Sequence, residues 1–186
     1  MSTTLLKRLR RLPGDDRAAT AVEFAILAPP LIFLIMASLQ LSIIFFAGQY
    51  LQSVTTLAGR ELMTGAIQGQ TTGDTQAVSQ ADFQTAVCNN PNAPLLFFTC
   101  GNLMIDVESS PTYSALNPTT LTPTYNSNGQ PTNTWAYSPG GPGDIVILRV
   151  MYNWPVVAGP LLPGLANQSN GDRLLVATSV FKNEPY

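Results

Sequence analysis

Between Glu23 and Arg60 the chain runs 36 residues without a single Asp, Glu, Lys or Arg. Inside that gap, Phe24 to Gly48 is almost wholly apolar, interrupted only by Ser38, Gln40 and Ser42. About 25 helical residues at 1.5 Å each reach roughly 37 Å, more than the ~30 Å hydrocarbon core of a bilayer. A secretory signal would offer a shorter apolar region, about 7–15 residues, ahead of a small-residue cleavage site. No Ala-x-Ala end stands near residues 45–50. The segment therefore predicts a membrane span, and everything else in the chain has to be placed relative to it.

The charges supply the direction. Lys7, Arg8, Arg10, Arg11 and Arg17 put five of the nine basic residues in the first 17 positions. Under the positive-inside rule this basic leader stays cytoplasmic and the residues after the span lie across the membrane. A net charge of −2 leaves no basic face for displacing counterions from phosphate, so nucleic acid is excluded as a partner. The chain has no histidine, which removes Ser-His-Asp and Cys-His nucleophile arrangements and most zinc sites. Neither an enzyme nor a bound cofactor or metal is expected. Cys88 and Cys100, beyond the span and in an oxidising compartment, read as one structural disulfide.

Periodicity organises the rest. One helix is expected from about Ala19 to Gly65, apolar all round through residues 19–48 and amphipathic in the continuation assigned to 49–69. Leu51, Val54, Leu57, Ala58, Leu62 and Ala66 form its stripe; Gln49, Gln52, Arg60 and Glu61 take the other faces. Asp74 or Ser79 caps a short helix running to Cys88, with Ser79 and Asp82 as a loose capping box. Leu103 to Glu108 alternates like a half-buried strand, with Leu103, Ile105 and Val107 inward and Asp106 and Glu108 on a solvated face. Residues 109–143 carry no charge and read as turns, with a hairpin near Tyr125 to Gly129. Ile145 to Trp154 and Leu174 to Phe181 complete an antiparallel sheet. The predicted fold class is α+β: a long helix whose amphipathic half packs on a small sheet, residues 70–186 forming the head. Trp135, Tyr137, Trp154 and Tyr186 are expected in packing rather than in a ligand surface.

The stretch Arg17-Ala18-Ala19-Thr20-Ala21-Val22-Glu23-Phe24 carries the functional signal. A carboxylate at the edge of a membrane span is costly unless paired, which makes Glu23 a functional candidate; its bland alternative is a headgroup-level charge favoured by the helix N-terminus. A basic leader, a small residue, four residues, Glu-Phe and an apolar helix resemble the type III signal of pilin-like proteins. Ala21-Val22-Glu23-Phe24-Ala25-Ile26-Leu27-Ala28-Pro29 is similar in particular to TadE/TadG-type minor pseudopilins of Tad (Flp) pilus systems. The stretches Val150 to Pro155 and Ala177 to Tyr186 are similar in pattern to the same family.

This resemblance implies a pilin-like fold and cleavage between Ala18 and Ala19 by a prepilin peptidase, leaving Glu23 as the fifth mature residue. Ala18 stands where the family's signal usually has glycine. The resemblance further implies a bacterial inner-membrane protein with a periplasmic head, partnered by other pilins and the pilus assembly machinery. Glu23 and Phe24 would serve assembly. Pro29 and Pro30 remove two backbone donors inside the span and are expected to bend the helix. The rival reading is an uncleaved single-pass anchor carrying a periplasmic scaffold or binding domain.

Overall fold

The computed structural model describes residues 16–66, 78–91, 95, 97–116, 121–157 and 164–185, with side chains from Ala19 onward. The leader before Asp16, the glycines at 69 and 73, Asp74 and Tyr186 lie outside them. The chain divides into two units, one ending at Ser42 and the other running from Ile43 to Tyr186. It is α+β, with one long apolar helix and a three-stranded antiparallel sheet.

Helix α1 spans Asp16–Met63 without interruption through Pro29 and Pro30. It stops two residues before Gly65, the expected end. Gly65 takes φ 70°, a left-handed conformation open to glycine at little cost, and its N–H returns to the Leu62 carbonyl at 3.1 Å. The short helix α2, Gln80–Cys88, is capped by Ser79, whose Oγ accepts the Asp82 N–H. Strands β1 (Leu103–Ser110), β2 (Ile145–Trp154) and β3 (Arg173–Lys182) pair antiparallel in the order β1-β2-β3. The register sets Asp106 opposite Arg149 and Arg149 opposite Thr178.

In the second unit, the core forms between one stripe of α1 and one face of the sheet. Ile44, Ala47, Leu51, Val54, Ala58 and Leu62 recur at three- and four-residue steps and are buried. Against them stand Leu103, Ile105 and Val107 from β1, and Val146, Leu148, Val150 and Tyr152 from β2. Leu175 and Ala177 contribute from β3, and Phe83 and Val87 from α2. The stripe thus begins four residues before Gly48, inside the segment expected to be apolar all round for lipid alone. Ala66, placed on the stripe by periodicity, is exposed past the helix end. At Gly59 the helix approaches β3 so closely that a Cβ would lie 3.0 Å from Ser179 Oγ and 3.2 Å from a Phe181 ring carbon.

The second sheet face departs from the expected alternation. Asp106 is not solvated: it is 2% exposed, beside Arg149 at 4%. Met104, Ile147 and Met151 are buried too. The uncharged segment before β2 explains this. Val107 N–H donates to Ala136 O at 2.9 Å and Ser138 N–H to Val107 O at 2.8 Å, a parallel bridge along the outer edge of β1. Tyr125 and Pro131 bridge the hairpin turn expected near residues 125–129.

Candidate assembly and membrane-anchoring site

The first unit is the N-terminal part of α1. Helix is dictated there by the absence of any charged side chain after Glu23 and by leucine, alanine and methionine, which lose little on entering a helix. Val22, Phe24, Ile26, Leu27, Leu31, Ile32, Leu34 and Ile35 are all well exposed. An apolar surface of this length is costly in water and suits lipid or another helix. The hydroxyls inside it are already satisfied. Ser38 Oγ donates to the Ile35 carbonyl and Ser42 Oγ to the Ser38 carbonyl, each at 2.8 Å. Neither therefore brings an unpaired donor into hydrocarbon.

Glu23 and Phe24 are exposed at the start of this surface, Phe24 with 73% of its area open. Ala19, four residues before Glu23, is one helical turn away and on the same side. Pro29 and Pro30 lack N–H groups, so the Ala25 and Ile26 carbonyls have no i+4 backbone donor, yet the helix continues. The side chain of Ala18 is outside the description; its backbone is helical. This helix is one long and apolar enough to cross a membrane.

In the second unit, Cys88 and Cys100 form a disulfide with Cα atoms 5.8 Å apart, joining the end of α2 to the turn that opens β1. Gln84 Nε2 donates to the Cys100 carbonyl at 2.7 Å and so holds the same junction. Asn90 Nδ2 donates to Glu61 Oε1 at 2.7 Å, tying this segment to the end of α1. Burial pushes the Glu61 carboxyl above its ordinary range, partly offset by that amide.

The titratable cluster of the head is Asp106, Glu108 and Arg149. Arg149 Nη1 lies 2.6 Å from Asp106 Oδ2 and 3.0 Å from Glu108 Oε1, while Ala136 N–H donates to Asp106 Oδ1 at 3.0 Å. Burial raises the Asp106 carboxyl above its usual range, against the lowering effects of the Ala136 amide and the Arg149 charge. The alternation in β1 carried the carboxylates correctly to one face. What it missed was Arg149 as a cationic partner, visible in sequence only as the lone charge inside an otherwise apolar strand. The arrangement is a buried guanidinium shared by two carboxylates.

The aromatics divide. Tyr137 packs on Phe83 with ring centroids 5.8 Å apart, and Trp154 packs on Phe98 at 6.0 Å. Trp135 instead lines a polar cleft of about 590 Å³ with Asn133, Asn153 and Asp172. Among the described residues no group of three or more His, Cys, Asp or Glu side chains is placed to hold a metal.

No curated protein and no solved structure matches the chain. The family match falls on the helix whose geometry is given above: residues 18–60 match the family TadE, described as TadE-like protein.

Proposed function

We propose that this chain is a minor pseudopilin, a non-enzymatic assembly component of a Tad (Flp)-type pilus that serves adherence. The observation that carries the reading is the match of residues 18–60 to the TadE-like family, which covers Ala18, Ala19, Glu23, the apolar segment and the stripe that packs on the sheet as far as Ala58. In this reading the helix anchors the precursor in the bacterial inner membrane, leader in the cytoplasm and head in the periplasm. A prepilin peptidase cuts between Ala18 and Ala19.

The cut removes most of the basic charge and frees an ammonium at Ala19. Glu23 lies on the exposed helix surface. When helices pack, the Glu23 carboxylate of one subunit neutralises the Ala19 ammonium of the next. An isolated charge in an apolar bundle is costly, so only the register that pairs them is stable, and Glu23 acts as a register device.

The test is intact mass with N-terminal sequencing of protein extracted from its native membrane. A chain beginning at Ala19 supports the reading; a chain retaining Met1 sinks the processing step and favours an uncleaved anchor with a scaffold head. A Glu23→Gln chain that enters pilus complexes as well as the unaltered one removes the register role.

A further inference from the structure

Large exposed apolar side chains follow one another along α1 from Val22 to Phe46 and stop there; beyond it the apolar side chains of the helix are buried or half-buried. The next exposed large apolar side chain among the described residues is Phe97, and it stands against Phe46. The two rings meet edge to face with centroids 5.6 Å apart, Phe46 being 57% exposed and Phe97 49%. Tyr50, one turn further along, touches both Phe46 and Phe97, at 6.4 and 5.9 Å. The apolar surface of the helix is therefore continued sideways by a ring belonging to the head.

The segment that presents Phe97 is held from the C-terminal side of that residue. Its neighbour Phe98 is 6% exposed and packs on Tyr152 at 4.9 Å, so consecutive residues point one ring into the core and one away from it. The Cys88–Cys100 disulfide closes the segment. Two half-open phenylalanines beside a half-buried tyrosine suit a membrane interface, where phenylalanine enters the headgroup–acyl boundary and tyrosine sits at headgroup depth.

Resting on the reading that α1 spans a bilayer, we propose that Phe97 enters the interfacial layer of that bilayer beside Phe46 and Tyr50. It is a second, disulfide-braced membrane contact. One helix alone leaves the tilt of the head against the membrane open; a second point of insertion off the helix axis restricts it.

The full chain in phosphatidylcholine–phosphatidylglycerol vesicles containing brominated lipid tests this. Trp135→Phe with Trp154→Phe removes the native indoles, and Phe97→Trp, Ile35→Trp or Tyr113→Trp then places one reporter. Tyr113 is 63% exposed and outside the aromatic patch. Expected are a blue-shifted emission at position 97, quenched at least half as strongly as at position 35, and an unquenched position 113. Quenching at 35 without quenching at 97 overturns this inference and leaves the span intact. No quenching at 35 overturns the span and the inference with it. Equal quenching at 97 and 113 also overturns it. With both native tryptophans kept, benzoylphenylalanine at position 97 should gain the mass of a phospholipid on irradiation; cross-linking only within the protein overturns the proposal.

Discussion

Gln52 closes both free backbone groups of Thr178. Its Nε2 donates to the Thr178 carbonyl at 3.0 Å and its Oε1 accepts the Thr178 N–H at 3.2 Å. Thr178 lies in β3, the edge strand whose other side is taken by β2. An open edge strand is a template for pairing with another chain. The long helix thus supplies, from one side chain, the pair of bonds a fourth strand would supply there.

Gln52→Ala should remove both bonds and cost about 1–3 kcal/mol, since each contributes roughly 0.5–1.5 kcal/mol net. Amide exchange at Thr178 should accelerate more than at residues bonded to β2. Unchanged exchange at Thr178 would show that the side chain does not protect the edge.

Cys88→Ala with Cys100→Ala should lower stability by about 2–3 kcal/mol, from the loop-closure entropy of a ring this size. Urea unfolding of the full chain in micelles, followed by the near-ultraviolet aromatic signal, measures it. Because Phe98 is packed independently on Tyr152, the reduced head should still fold. Complete loss of the aromatic signal would contradict that division.

Arg149→Ala should be among the most damaging single changes in the head, about 3–5 kcal/mol, because it leaves the Asp106 carboxylate buried without its cation. Arg149→Met combined with Asp106→Leu should be milder than either single change, as apolar replacement of a whole buried pair is often neutral. A double-mutant cycle in urea gives the coupling. Additive losses would mean the two side chains act separately.

Tyr137 should govern an alkaline limit. Burial, with the Asp82 charge as a second cause, pushes its hydroxyl from 10.0 up to about 12. A raised folded-state value means the folded chain holds the proton more tightly than the unfolded one. The stabilisation is complete below pH 10 and is lost as pH rises toward 12. The melting temperature should fall across that window, and Tyr137→Phe should flatten part of the fall. An identical pH profile in the variant would clear Tyr137 of the effect.

The apolar run, the stripe from Leu51 to Leu62, the Ser79 cap and the three strands were legible because each is a local pattern of period 3.6 or 2. The processing and assembly candidates rest on a short motif next to a long apolar helix. Asp106 was misplaced for a definite reason. Alternation says which side chains share a face, but solvation of that face depends on whether a distant segment covers it. Here Ala136 and its neighbours, uncharged and without periodicity, do so from 30 residues away.

A helix long and apolar enough to cross a membrane and the α+β division were thus determined by the order of residues, since a charge-free apolar run and a strand alternation act over one turn or one pleat. Only the tertiary structure decided at which residue of the helix the buried stripe begins. Ile44 and Ala47 turn inward while Phe45 and Phe46 stay out. Periodicity within an all-apolar segment cannot choose a face, and the choice falls to the partner surface that packs against it.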